Sequence, residues 1–212
     1  MKKIVSIIIT LSFVITFVAC GNKSQVVNNT TNNTKSNEES AAKKAAEDKA
    51  AALDKKAMDG YKLFFDKKYS EAIAVENEVI KEDPAFCKAY YIKGITECYN
   101  NNYKEGSKDI DKALSINPND YMARFNKALS LELYGHYDEA LSWYNKALEI
   151  QKEEWSYYGI ASIYGRRGDV ENAVKYLKLA IALNPEIKND AKNEADFNPI
   201  KNKKEFTDVV NK

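Results

Sequence analysis

Residues 154–187 read EWSYYGIASIYGRRGDVENAVKYLKLAIALNPEI, and this stretch decides the fold. On both sides of Gly168, apolar side chains recur every three or four residues, which is the spacing of one face of an α-helix. Gly168 separates the two runs, and Pro185 follows the second. The stretch therefore predicts two helices joined by a short turn.

The same pattern occurs earlier in the chain at a fixed interval. Tyr69, Tyr103 and Tyr137 are 34 residues apart, and so are Pro84 and Pro118. A period of this length is typical of helical repeat proteins, in which each unit buries its apolar face only by stacking on its neighbours. The period divides residues 53–187 into four units: 53–86, 87–120, 121–153 and 154–187.

In residue pattern, these units resemble the tetratricopeptide repeat. The fourth unit carries the family signature at Tyr157, Ile160, Ala161, Tyr164, Gly168, Ala173, Leu177, Ala180 and Pro185. Small residues at the helix crossings let paired helices approach to about 8–10 Å. The resemblance implies an all-α fold, a right-handed α-solenoid of about four helical hairpins.

The other units depart from the signature at single places. Gly106 replaces the usual Ala in the second unit, and Lys152 replaces the closing Pro in the third, where we expect an altered junction. In the first unit Lys56, Asp59 and Glu76 stand where large apolar residues are usual. We interpret this unit as a degenerate terminal repeat with a polar outer face.

Residues 188–212 predict a C-terminal capping helix. The last repeat of a solenoid exposes an apolar face that needs a cover. Asn184 and Pro185 mark the start of a helix. An apolar stripe follows: Phe197, Ile200, Phe206, Val209 and Val210.

Residues 1–19 have the form of a signal peptide. Lys2 and Lys3 precede residues 4–19, which carry no charged side chain and are shorter than the roughly 20 residues that span a bilayer. The end of the segment resembles the lipobox of bacterial lipoproteins, in which a small residue precedes an acylated cysteine, here Cys20, although Phe17 stands where Leu is usual. Three fates stay open: a lipid-anchored Cys20, which the pattern favours, an uncleaved membrane anchor, and ordinary secretion.

Residues 20–52 predict a lipid-anchored flexible tether with a helical end. Residues 22–37 are polar and nearly free of apolar side chains, so they cannot offset the entropy of ordering. After Ser36 the sequence is rich in Ala, Lys and Glu, which favour helix. Two acyl chains on Cys20 would hold the protein at the extracytoplasmic face of a bacterial cell membrane.

Charge and motifs argue against several classes of function. Removing Lys2 and Lys3 with the signal peptide changes the formal charge from +1 to −1, which is unusual for a nucleic-acid-binding protein. His136 is the single histidine, and the sequence has no phosphate loop or nucleophile elbow. Cys87 and Cys98 lie 11 residues apart on one predicted helix, about 16 Å along its axis, and cannot form a disulfide with each other. We predict no enzyme activity, no catalytic residue, no cofactor and no metal.

The resemblance also implies a binding surface, because the first helix of each tetratricopeptide repeat lines the inner, concave face of the superhelix. Aromatic side chains there give a large contact area at low entropy cost, which suits a protein or an extended peptide. The alternative is that these aromatic residues only pack the core. The predicted groove residues are Tyr61, Phe65, Tyr91, Tyr99, Phe125, Trp155, Tyr158 and Arg166.

Two functions follow from the sequence. The first is a membrane-anchored extracytoplasmic scaffold that binds a protein or an extended peptide in the aromatic groove. The alternative is an accessory subunit of a cell-envelope enzyme complex, acting in cell-wall metabolism or secretion, that positions substrate for a catalytic partner.

Overall fold

The computed structural model describes the backbone of residues 30–211 and the side chains of residues 40–211. The predicted signal peptide, residues 1–19, and Cys20 lie outside the described residues. The chain divides into two compact units, residues 1–55 and 56–212. Among the described residues, no helix is both long and apolar enough to cross a membrane.

The described part of the first unit is helical. Helix α1 (Thr30–Phe65) begins within residues 22–37, the segment for which the sequence predicts a flexible spacer. Extending a helix costs far less than starting one, so the Ala-rich residues that follow can propagate helix into this polar stretch. On its surface Lys43 and Glu47 lie one helical turn apart and form an exposed ion pair, with Nζ 4.0 Å from Oε1.

The second unit is a right-handed α-solenoid of helical hairpins, which confirms the predicted fold class. The first hairpin pairs the end of α1 with α2 (Tyr69–Glu82). The helices of the next three hairpins are α3 (Cys87–Tyr99) and α4 (Tyr103–Ile116), α5 (Tyr121–Leu133) and α6 (Tyr137–Leu148), and α7 (Glu154–Arg166) and α8 (Val170–Leu183).

Each hairpin turns through one residue with a left-handed backbone. These residues are Lys67 (φ 61°), Asn101 (φ 65°), Gly135 (φ 85°) and Gly168 (φ 72°). In each turn the next amide donates to a carbonyl five residues earlier, as in Asp169 N to Tyr164 O at 3.0 Å. This hydrogen bond closes the end of the first helix and sets the entry of the second.

The helices of the second hairpin approach most closely at two glycines. A Cβ on Gly94 would lie 2.6 Å from the Gly106 carbonyl oxygen, and a Cβ on Gly106 would lie 2.5 Å from the Gly94 oxygen. Both distances are shorter than any normal contact, so only glycine fits at either position. The unusual Gly106 of the second repeat is therefore a packing requirement of this crossing.

The sequence predicts a polar outer face for the first hairpin, and one of its polar residues, Glu76, does not lie on that face. Lys56 does lie at the surface, where its Nζ is 2.6 Å from Glu82 Oε1 and 3.0 Å from Glu78 Oε2. Glu76, however, is fully buried beside Gly60, and neither carboxyl oxygen has a hydrogen-bond partner among the described residues. Burial raises the pKa of Glu76 to about 9, so the carboxyl is neutral at pH 7.

The C-terminal segment, residues 187–211, forms three short elements where the sequence predicts one capping helix. They are α9 (Ile187–Asn193), a 3-10 segment (Ala195–Ile200) and α10 (Lys204–Asn211). Pro199 lies inside the 3-10 segment and cannot donate an α-helical hydrogen bond, which accounts for the break. Helix α10 begins 34 residues after α8, so the C-terminal segment keeps the repeat period and forms a degenerate fifth hairpin.

Candidate functional site

The structure buries four of the eight predicted groove residues. Tyr91, Phe125, Trp155 and Tyr158 have exposed fractions between 4% and 8%. The remaining four, Tyr61, Phe65, Tyr99 and Arg166, are partly exposed. The contact of these eight residues with a partner stays a prediction, and their different burial divides the inner positions into two groups.

The first two repeats bring four rings together into an amino-terminal aromatic cluster, which consists of Tyr61, Phe64 and Phe65 of α1 and Tyr99 of α3. The ring centroids of Tyr61 and Phe65 are 4.8 Å apart, and those of Phe64 and Tyr99 are 5.1 Å apart with their planes at 86°. Such edge-to-face contacts hold the rings in fixed orientations. Phe65 remains 37% exposed, so the cluster offers solvent a preorganised apolar surface.

The phenols of this cluster stay neutral well above physiological pH. Loss of hydration raises the pKa of Tyr61 to about 12, and it raises the pKa of Tyr99 further above its ordinary value. The cluster therefore carries no charge of its own at physiological pH. Its chemistry suits an apolar or aromatic side chain of a partner.

The buried aromatic residues of the third and fourth repeats pack neighbouring helices against each other. The Phe125 ring of α5 lies 5.8 Å from the Tyr144 ring of α6. The hydroxyl groups of Tyr121 on α5 and Ser156 on α7 are 3.0 Å apart, within hydrogen-bonding distance. These side chains stabilise the stack of repeats and offer little free surface.

The C-terminal segment covers α7. The Phe197 ring lies 5.8 Å from the Tyr158 ring, and a Cβ on Gly165 would lie 2.6 Å from Phe197 Cδ1. Arg166 Nη2 forms an ion pair with Asp196 Oδ1 at 2.6 Å. Two of the predicted groove residues, Tyr158 and Arg166, are thus already in contact with the chain's own C-terminal segment.

A buried polar network that the sequence reading did not identify lies beside this contact. Tyr144 donates a hydrogen bond to Glu132 Oε2 at 2.7 Å, and Ser162 Oγ lies 2.9 Å from Glu132 Oε1. Ser162 also hydrogen-bonds Asp196. Glu132 lies on α5 and Ser162 on α7, the first helices of two consecutive repeats. The sequence signal for the network is that each is a polar residue within an otherwise apolar stretch of its helix.

His136, Cys87 and Cys98 are the other candidate reactive side chains among the described residues. No group of three or more His, Cys, Asp or Glu residues there could hold a metal ion. His136 is exposed beside α6, with Nδ1 3.8 Å from Glu139 Oε1. Burial raises the pKa of both the Cys87 and the Cys98 thiols to about 12, so neither is a nucleophile at neutral pH.

Curated relatives share the repeat sequence. The chain is 29% identical over 120 residues to a TPR repeat-containing protein of Methanocaldococcus jannaschii, a match that covers 56% of this chain but only 21% of the relative. It is also 33% identical over 63 residues to an uncharacterized protein of the same organism, covering 30% of this chain and 73% of that protein.

Solved structures share the fold. PilW, a type IV pilus biogenesis factor, superposes with a TM-score of 0.63 at 18% identity over 76% of this chain and 79% of PilW. PilF of Pseudomonas aeruginosa has a TM-score of 0.61 at 15% identity, over 76% of this chain and 69% of PilF. MamA has a TM-score of 0.52 at 19% identity, over 76% of this chain and 98% of MamA. At these identities the likeness concerns the fold alone.

Family models assign the repeats directly. Models of the tetratricopeptide repeat match residues 110–142, which include all of α5, and residues 156–187, which include most of the fourth hairpin. The period, the hairpins and these matches agree, and the chain contains tetratricopeptide repeats.

Proposed function

We propose that this protein is a membrane-anchored extracytoplasmic scaffold whose amino-terminal aromatic cluster contacts a protein or an extended peptide. Tetratricopeptide repeats imply a scaffold for protein–protein interaction. The partly exposed ring of Phe65, held by its aromatic neighbours, is the observation that carries the choice of site. Rigid, partly exposed aromatic residues are typical anchors of protein interfaces.

The contact is tested by crosslinking in the cell of origin. A photoreactive residue at Phe65 is expected to capture one defined protein, which mass spectrometry identifies. The same residue at Leu179, a 40% exposed side chain on α8, serves as the matched control and is expected not to capture that protein.

Affinity then measures the role of the ring. With the captured partner purified, Phe65→Ala is expected to weaken binding about tenfold or more, as truncation of an aromatic anchor does, and Leu179→Ala to leave it unchanged. Equal binding by wild type and Phe65→Ala would contradict the proposed site.

The membrane anchor rests on the sequence of residues 1–20. Metabolic labelling with a fatty acid is expected to mark the wild type and not Cys20→Ser. Label on both proteins would contradict lipidation at Cys20.

The captured partner also separates the scaffold from the second predicted function. An accessory subunit of a cell-envelope enzyme complex would crosslink to a catalytic subunit, and it would bind that subunit's substrate, such as purified wall glycan, saturably. A partner without catalytic activity, together with no glycan binding, favours the plain scaffold.

A further inference from the structure

The polar network beside α7 joins three parts of the chain through one hydroxyl group. Ser162 Oγ of α7 lies 2.9 Å from Glu132 Oε1 of α5 and also hydrogen-bonds Asp196 Oδ2 of the 3-10 segment. A serine hydroxyl carries one hydrogen and can donate to only one of these carboxyl groups. The other contact needs a hydrogen from the carboxyl side.

A count of hydrogens shows which carboxyl supplies it. Asp196 Oδ1 is paired with the Arg166 guanidinium at 2.6 Å, so Asp196 Oδ2 is the oxygen left to accept from Ser162. Glu132 Oε2 accepts a hydrogen bond from Tyr144, which leaves Glu132 Oε1 to carry the proton. Protonated Glu132 then donates to Ser162, and Ser162 donates to Asp196, so that every contact has its hydrogen.

Ionisation of Glu132 would disrupt this order. The Glu132 and Asp196 carboxylates would then face the same hydroxyl with one hydrogen between them. The new charge on Glu132 would lie near the Arg166 cation but also near two further acids, Asp196 and Glu194. Unpaired buried carboxylate oxygens are costly, so the contact between α7 and the 3-10 segment would weaken.

Arg166 is the one cation among the groups that face Glu132 in the described part of the chain, and it is already paired with Asp196. The titratable and charged groups that face Glu132 are Tyr99 of α3, Tyr144 of α6, Tyr158 and Arg166 of α7, and Asp196 of the 3-10 segment. Burial raises the pKa of each of these tyrosines, so all three stay neutral below pH 10. Burial likewise raises the pKa of Glu132 from its ordinary value near 4.5 to about 7.

We propose that a proton on the Glu132 carboxyl fastens the C-terminal segment to the fourth repeat, and that loss of this proton loosens the segment and uncovers α7. The buried side chains of Phe197, Ile200 and Phe206 hold the segment at any pH, so the proton modulates the contact and does not create it.

The sign of the pH dependence follows from the raised pKa. An acid with a higher pKa in the docked than in the undocked state favours docking while it is protonated, and this contribution is lost as the pH rises from about 4.5 to about 7. Between pH 6 and pH 8.5 the docking equilibrium is expected to fall by about tenfold.

Hydrogen exchange of the full chain tests the proposal. Amide protection of residues 195–200, corrected for the intrinsic exchange rate at each pH, is expected to fall about tenfold from pH 6 to pH 8.5 in the wild type. Glu132→Gln keeps a donor toward Ser162 and an acceptor for Tyr144, and its protection is expected to stay constant. An equal pH response in wild type and Glu132→Gln would overturn the proposal.

Two further measurements keep the test decisive. Glu97→Gln is the matched control, because burial raises the pKa of Glu97 to about 7 too but the charged groups around Glu97 belong to the second repeat. In this variant the protection of residues 195–200 is expected to change with pH as in the wild type. Protection that does not change with pH in Glu97→Gln would mean that the effect reflects general stability, and it would overturn the proposal. In the unmutated chain, the Glu132 carboxyl carbon is expected to titrate near pH 7 by NMR, and titration below pH 5 would overturn it without any variant.

Discussion

The first and the fourth repeats use aromatic residues on corresponding helices in opposite ways. In the first repeat Phe65 is 37% exposed at the edge of a cluster of rings. In the fourth, Tyr158 is 4% exposed and lies against Phe197 of the C-terminal segment. The residue type is similar, and the difference lies in what covers it. An inner-face position is therefore available to a partner only where no other part of the chain packs on it.

Removal of a covering ring should have the largest effect. Phe197 is 1% exposed and contacts both Tyr158 and Phe206, so Phe197→Ala is expected to lower the free energy of unfolding by about 3–5 kcal/mol. Phe65→Ala, which removes a partly exposed ring, is expected to cost about 1 kcal/mol. Urea denaturation of the two variants measures both values. Equal losses would mean that the two repeats do not differ as described.

The two buried carboxyls offer a sharper contrast. Glu76 has no hydrogen-bond partner among the described residues, so Glu76→Met is expected to raise the free energy of unfolding by about 1–3 kcal/mol at pH 7. Glu132 has partners, and Glu132→Met is expected to lower it by a similar amount, because Tyr144 loses its acceptor and Ser162 loses its donor.

The pH dependence of the Glu76 variant has a defined sign. Because burial raises the pKa of Glu76 from near 4.5 to about 9, the wild type loses stability as the pH rises between these values. The advantage of Glu76→Met should therefore grow over the same interval, as measured by urea denaturation at several pH values. If the difference in the free energy of unfolding between Glu76→Met and the wild type did not change with pH, Glu76 would be ionised and in contact with solvent, which contradicts its burial.

The turns should give the smallest effect. Lys67 adopts φ 61° in the first hairpin, where Gly168 adopts φ 72° in the fourth. Lys67→Gly is expected to stabilise the protein by about 0.5–1 kcal/mol, and Gly168→Ala to destabilise it by about 1 kcal/mol, because a side chain strains this backbone. Thermal melts of the two variants should shift in opposite directions. Shifts in the same direction would show that a different contact determines the turn.

The sequence predicted the hairpins because their determinants are local and periodic. The spacing of Tyr69, Tyr103 and Tyr137 fixes the start of three second helices, and the structure begins α2, α4 and α6 at these residues. The small residues Gly94 and Ala113 also recur 34 residues before Ala128 and Ala147, and both are buried.

Burial and long-range contact were harder to predict. Glu76 has the charge of a surface residue, and its burial depends on its place beside Gly60 in the hairpin. The apolar stripe of the C-terminal segment predicted a cover, but the pairing of Asp196 with Arg166 depends on a break at Pro199 that turns the chain onto α7. For the same reason, the sequence does not reveal that the C-terminal segment covers Tyr158 and leaves it unavailable to a partner.

Hydroxyl-radical footprinting of the folded chain, read residue by residue by mass spectrometry, tests the difference between the two repeats most directly. After correction for intrinsic reactivity, Phe65 is expected to be oxidised several times faster than Trp155, Tyr158 and Phe197, although an indole reacts readily when it is exposed. Oxidation of Trp155 and Tyr158 as fast as that of Phe65 would contradict a fourth repeat covered by its own C-terminal segment.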